Sequence, residues 1–341
     1  MTSEQMRDSG EYDVIVVGGG AAGLNGALML ARSRRSVVVV DAGAPRNALA
    51  EGVHGLLARD GMPPGELLER GRAEVRRYGG TVLDGRAVDA ARDDSGFVVT
   101  LAGGDTLRAR RLLITTGLVD QLPDIPGLRE RWGRDVVHCP YCHGWEIRDH
   151  AIGILAAGPM SIHVAQLFRQ LSDDIVYFTH TTGLSAEQAT ELSACGIRVV
   201  EGIVTALDIS GDGIAGVRLA DGIVVPRTAL AVAPRMVSRA DFLSGLGLHL
   251  TEHPSGAGEF IPADPVGRAA VPGIWLAGNV TDPQAQVGAA AAAGAMAGAQ
   301  INADLVAEEV RAAVAAHGEP FSASAEAQVA ELAGAQRRHG V

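Results

Sequence analysis

The thirty residues from Tyr12 to Asp41 restrict this chain more than any other segment. Tyr12–Val17 is a β-branched run bounded by glycine, Gly18-Gly19-Gly20-Ala21-Ala22-Gly23 leads into the helix-forming stretch Leu24–Arg32, and Val37–Val40 forms a second strand that ends at Asp41. Gly18, Gly20 and Gly23 have the G-x-G-x-x-G spacing. In that spacing the first glycine permits the tight turn, the second lets backbone approach a pyrophosphate, and the third lets helix and strand pack closely. Asp41, at the end of the second strand, is placed to accept hydrogen bonds from a ribose. The segment therefore predicts a dinucleotide-binding β-α-β unit.

At 341 residues the chain is long enough for two such units. Strand-like pieces at 81–88, 97–101 and 111–115, with Gly103-Gly104-Asp105 as a hairpin turn, predict a small β meander laid on the first unit. The proline-marked run Leu122-Pro123-Asp124-Ile125-Pro126-Gly127 is the expected crossing into a second domain. There a second β-α-β unit follows: strand Ala151–Leu155, helix Met160–Gln170, strand Ile175–Thr179. The chain returns near Gly245–Leu250, then runs through the short apolar strand Ile274-Trp275-Leu276 into the alanine-rich stretch Val287–Ile301. That stretch is too short for a bilayer and suits a closely packed helix. The expected layout is a flexible start (1–11), a discontinuous first domain (12–119 and 246–316), a second domain (120–245) and a tail (317–341). The expected class is α/β, with two Rossmann-like, three-layer ββα domains.

Chemistry concentrates at His138-Cys139-Pro140-Tyr141-Cys142-His143. Two cysteines separated by two residues close a disulfide with little backbone motion, and neighbouring imidazolium groups make thiolate available near neutral pH. C-x-x-C-H is also the covalent haem signature, but no export signal accompanies it. A zinc site from His138, Cys139, Cys142 and His143 would crowd four ligands into six residues, and no metal is expected. A glutaredoxin-like fold shares the Cys-Pro-Tyr-Cys letters but would carry them near the start of a small domain. Cys195, the third cysteine, reads as a buried, inert thiol. All 29 basic Lys/Arg positions are arginine, which removes Walker-type phosphate loops and lysine Schiff-base chemistry. A net charge of −11 without a basic run argues against nucleic acid. The polar start and the absence of a membrane span lead us to expect a cytoplasmic protein.

The order of these features resembles the low-molecular-weight thioredoxin reductase family from Tyr12 to about Val306: a fingerprint, Thr115-Thr116-Gly117 before Ile125-Pro126-Gly127, a C-x-x-C ahead of a second β-α-β unit, and Trp275-Leu276-Ala277-Gly278-Asn279. Cys139-Pro140-Tyr141-Cys142-His143-Gly144-Trp145-Glu146 is similar to the branch of dithiol oxidases that close the disulfides of gliotoxin, holomycin and romidepsin. The resemblance implies FAD held by Gly18, Gly20, Ala21, Ala22, Gly23 and Asp41. Further expected contacts are Ala42, Arg46 and Asn47 after the second strand, Val88, Thr116, Gly117, and His54 and Asp60 in the 48–64 loop. Gly278 and Asn279 would lie near the ribityl and pyrophosphate, where family members usually have aspartate in place of Asn279. Gln286 and Val287 would start a helix pointing at the flavin pyrimidine end, stabilising negative charge on the reduced ring. His143 stands where the family has an acidic proton donor and is the expected base, with His138 as the second candidate.

The second unit departs from the reductase pattern. Its turn reads Ala156-Ala157-Gly158-Pro159-Met160-Ser161, without the first glycine of a nucleotide fingerprint. Where the resemblance implies His-Arg-Arg holding an NADPH phosphate, this chain has His180-Thr181-Thr182. Each charge-assisted phosphate bond contributes about 1.5–3 kcal/mol, so losing two weakens NADPH binding by roughly a hundredfold or more. A vestigial NADPH site is therefore expected. With the retained cysteines it points to an FAD-dependent oxidase of a small-molecule dithiol, with O2 as acceptor and H2O2 as product. The alternatives are a disulfide reductase driven by NAD(P)H or ferredoxin, and a flavin-bound redox sensor. The resemblance also implies a homodimer.

Overall fold

Four consecutive valines, Val37–Val40, are almost completely buried, as expected for a strand covered on both faces of a parallel sheet. In the computed structural model, which describes residues 11–317 and residues 323, 326, 327, 329 and 330, they form β2 (Val37–Asp41). β1 (Glu11–Val17) pairs with it in parallel, and α1 (Ala21–Arg32) connects the two. α2 (Pro64–Arg77) leads to β3 (Thr81–Asp84), which extends the parallel sheet beside β2. The expected single strand at 81–88 is broken at Gly85-Arg86, so β4 (Ala87–Asp93) belongs instead to an antiparallel meander with β5 (Gly96–Leu101) and β6 (Thr106–Ile114). β6 is longer than its expected span. Its first half pairs with β5, while nearly its whole length also pairs in parallel with β1.

The cysteine motif follows β7 (Leu118–Gln121) and β8 (Val136–Val137), with Pro140–His143 forming the one-turn helix α3. A second parallel sheet is then built from β9 (Ile152–Leu155), α4 (Ser161–Phe168), β10 (Ile175–Phe178), α5 (Ala186–Ala194) and β11 (Arg198–Val200). Ser185 and Gln188 close a reciprocal capping box at the start of α5. An antiparallel three-stranded sheet, β12 (Val204–Ser210), β13 (Gly213–Leu219) and β14 (Val224–Pro226), precedes β15 (Ala229–Val232), which inserts between β8 and β9.

The chain then passes through β16 (Arg235–Ser238), β17 (Thr251–Glu252) and β18 (Gly258–Phe260). β16 pairs antiparallel with β7, so both crossings between the two units lie in one small sheet that the sequence reading did not anticipate. Phe242, Leu243, Leu246 and Leu248 are buried with the core of the first unit. β19 (Ile274–Leu276) joins the free half of β6, and α6 (Val287–His317) lies across α1. That crossing depends on small residues: a Cβ on Gly294 would stand 1.9 Å from the Ala22 carbonyl oxygen, and one on Gly298 would stand 2.6 Å from that of Gly26. The far end of α6 is tied to β6 by arginine–carboxylate pairs, Arg110 with Glu308 and Glu309, and Arg111 with Asp304 and Glu308. No helix among the described residues is long and apolar enough to cross a membrane. Residues 1–10 and most of the expected tail lie outside the described residues.

Candidate active site

The first glycine turn is built as its spacing requires. Gly18 has φ +110°, and a Cβ there would stand 2.3 Å from the Thr115 carbonyl oxygen. Gly23 packs closer still, since its Cβ would stand 1.9 Å from the Gly18 carbonyl oxygen. Gly20, at the N-cap of α1, instead faces open space, and no side chain caps this helix end. Its first N–H groups are thus left for an outside acceptor, the arrangement that receives a phosphate. Ala21 and Ala22 start the helix, and Gly278 reaches it, with its Cβ position 2.9 Å from that of Ala22. Asp41 accepts from Arg72 at 2.6 Å and from the Gly43 N–H at 3.2 Å, so it is held in place by a residue of α2 that sequence reasoning missed.

Other expected contacts are more scattered. Ala42 is exposed just beyond β2 and Asn47 lies in the following loop. Val88 is the unpaired residue at a register shift in β4 and is exposed. Thr116 donates its hydroxyl to the Arg239 carbonyl at 2.7 Å, and Gly117 accepts from the Arg239 N–H, which joins the two crossings. Gln286 approaches Gly55 of the 48–64 loop, and Val287 begins α6. Arg46 makes a bidentate pair with Asp120 at 2.7 and 2.8 Å.

Cys139 and Cys142 form a disulfide with Cα atoms 5.2 Å apart. The Cys139 carbonyl accepts from the Cys142 and His143 N–H groups, so the helical turn itself brings the sulfurs together. His143 Nε2 and His138 Nδ1 are buried without a hydrogen-bond partner. Burial pushes His143 below its ordinary range, opposed by Glu146 and reinforced by His54. His138 is pushed down to about 4, first by burial and then by Arg46. His54 lies between Asp60 and Glu146, at 3.5 and 3.4 Å. Tyr141 and Trp145 are about two-thirds exposed beside the disulfide, with the Arg148 guanidinium stacked on Trp145 at 4.2 Å. Cys195, expected to be buried, is exposed because it caps the end of α5 and does not fill the core.

The second glycine turn differs in kind from the first. Ser161 occupies the position corresponding to Gly23, and its buried hydroxyl oxygen accepts from the Ala157 and Gly158 N–H groups at 3.1 and 3.3 Å. Pro159 packs toward Gly256 in the loop between β17 and β18. Thr182 donates to the Ala156 and Thr179 carbonyls, and His180 accepts from the Val204 N–H.

The family model described as pyridine nucleotide-disulphide oxidoreductase matches residues 12–299. The chain belongs to this family. It is 32% identical over 294 residues to thioredoxin reductase sirT of Leptosphaeria maculans, covering 81% of this chain and 89% of that protein. Among solved structures, HlmI is similar with a TM-score of 0.86 and 45% identity, covering 92% of this chain and 98% of that one. An oxidoreductase from Agrobacterium tumefaciens superposes with a TM-score of 0.81 at 36% identity, covering 87% of this chain and 99% of that one. The protein is a flavin-dependent oxidoreductase of the thioredoxin reductase type.

The residues present fit the FAD that the family implies. The open space at Gly20 and the uncapped start of α1 suit a pyrophosphate, which Gly18–Gly23 would hold with Asp41 at the ribose. Asn279 fits for a reason not visible in its sequence position. Its amide Nδ2 donates to the carbonyls of Asp282, Pro283 and Ala285 at 3.0, 3.3 and 2.9 Å, bracing the turn that starts α6. A carboxylate could not donate to any of them. Restoring the common residue with Asn279→Asp is therefore expected to destabilise the turn by about 2 kcal/mol. The melting temperature should fall by about 3 °C, with weaker FAD retention. Thermal unfolding of the purified variant checks this, and an unchanged midpoint would refute the bracing role.

Proposed function

We propose that the chain is an FAD-dependent dithiol oxidase that converts a small-molecule dithiol to its disulfide. The observation that carries this reading is the Ser161 hydroxyl, seated on the N–H groups that a nicotinamide dinucleotide would need in the second turn. With the Ala157 and Gly158 amides taken and no arginine at 180–182, that unit offers a nucleotide phosphate fewer turn amides and no permanent cation at the strand end. A vestigial NADPH site leaves the cysteine pair as the entry for electrons, in line with the resemblance to the dithiol oxidase branch.

In the proposed reaction a substrate thiolate attacks Cys139, breaking the Cys139–Cys142 bond and forming a mixed disulfide. The second substrate thiol displaces Cys139, so one disulfide forms in the product as one is lost from the protein. His143, with an unpaired Nε2, accepts a thiol proton, while His138 stays neutral and holds the loop. Tyr141 and Trp145 give an apolar substrate an aromatic rim. Bound FAD would take the electron pair from the reduced cysteines and deliver it to oxygen, giving hydrogen peroxide. The homodimer and the cytoplasmic setting belong to the same proposal.

Anaerobic titration of the flavin tests it. Micromolar NADH or NADPH is expected to leave the 450 nm absorbance unchanged, and dithiothreitol to bleach it, with hydrogen peroxide formed when air is admitted. Rapid bleaching by either nicotinamide would show instead a disulfide reductase, the activity for which the curated relatives are named.

A further inference from the structure

His54 is the member of the site whose surroundings the disulfide chemistry leaves unexplained. It comes from the 48–64 loop of the first unit, yet one of its carboxylate neighbours, Glu146, lies three residues beyond His143 in the cysteine loop. The other, Asp60, is fixed within its own loop by the Gly55 N–H at 3.0 Å. Each imidazole nitrogen therefore faces a carboxylate, Nδ1 toward Asp60 and Nε2 toward Glu146.

We propose that Glu146 and His54 are positioning residues for the thiol chemistry, forming a carboxylate–imidazole–carboxylate row that crosses from the cysteine loop to the 48–64 loop and sets the charge around His143. The inference rests on the reading of His143 as the base. His143 Nε2 is buried and unpaired, so its protonation is governed by burial and by charges acting through space. Of those charges, Glu146 favours the protonated ring and His54 opposes it. On the other side of the loop stands His138, with Arg46 and Asp120 acting on it. A base in this task must be free of its proton before a thiol arrives and stabilised once it has taken one. Burial and His54 serve the first condition, and Glu146 serves the second.

The two neighbours act with opposite signs, and this makes the row testable. In FAD-loaded full-length protein with carbon-13-labelled histidine, the His143 resonance, identified by its loss in His143→Gln, is titrated by NMR. Glu146→Gln removes a negative charge and should move the His143 midpoint to lower pH. His54→Gln removes the group that opposes protonation of His143 and should move it to higher pH, each by on the order of half a pH unit. The acid limb of anaerobic flavin bleaching by dithiothreitol should follow in the same two directions. Shifts of the same sign, or a midpoint unmoved in either variant, overturn the assignment. Wild-type flavin that dithiothreitol fails to bleach would overturn the dithiol oxidase reading, while opposite NMR shifts would still establish the row.

Discussion

Cys139→Ser and Cys142→Ser are each expected to reduce dithiol-driven oxygen consumption by a thousandfold or more while leaving FAD bound and the fold intact. A serine oxygen occupies nearly the same volume but can neither form nor exchange a disulfide, so the loss falls on chemistry and not on packing. The helical turn that brings the sulfurs together uses the Cys139 carbonyl and the Cys142 and His143 N–H groups, all of which serine retains. The two cysteines act as one redox unit, so the double variant should be no slower than the worse single variant. Oxygen-electrode rates with dithiothreitol, read beside the flavin absorbance of the same samples, check this. Retained turnover in either single variant would mean that the dithiol reduces the flavin directly.

Gly20→Ala is expected to weaken FAD binding by about a hundredfold or more without lowering the stability of the apoprotein. A methyl on Gly20 meets no protein atom, and the backbone there, at φ −78°, suits alanine. The added group would instead occupy the space assigned to the pyrophosphate. Gly23→Ala is the paired control: its methyl would collide with the Gly18 carbonyl and the Thr115 hydroxyl, so folding and cofactor binding should fail together. The ratio of flavin to protein absorbance, compared with the unfolding midpoint of the stripped protein, separates the two cases. Full cofactor occupancy in Gly20→Ala would place the phosphates somewhere other than this turn.

What could be read from the chain in advance was what is local. The fingerprint glycines, the strand that ends at Asp41 and the cysteine pair each depend on spacing within a few residues. The split of the 81–88 segment was less visible, because Gly85-Arg86 interrupts an otherwise strand-like pattern and its two halves serve different sheets. Asn279 was noticed as a missing acid, but its role as a donor depends on three carbonyls gathered by the turn before α6. Ser161 stands at a countable position, the third of the fingerprint, although its bond back to the turn amides needs the folded backbone to be seen. The row of Glu146, His54 and Asp60 is tertiary, joining loops far apart in sequence, and no periodicity encodes it. Cys195 is exposed, against the default of burial for a lone cysteine, because the sequence around it does not reveal that the residue is the C-cap of α5.

The crossing of α1 and α6 carries a mechanical consequence. At Ala22, Gly26, Gly294 and Gly298 backbone meets backbone directly, and the Asn25 amide ties the two helices again by donating to the Ala291 carbonyl at 2.8 Å. The start of α1, which would receive the phosphates, and the start of α6, at Val287, are thereby braced against each other as two points on one stiff frame. A long cofactor spanning both would find its two anchor points held at a constant separation while the cysteine loop works. A single methyl group wedged at Gly294 would press on the Ala22 carbonyl in the first turn of α1, spread that frame and change the distance between the anchors.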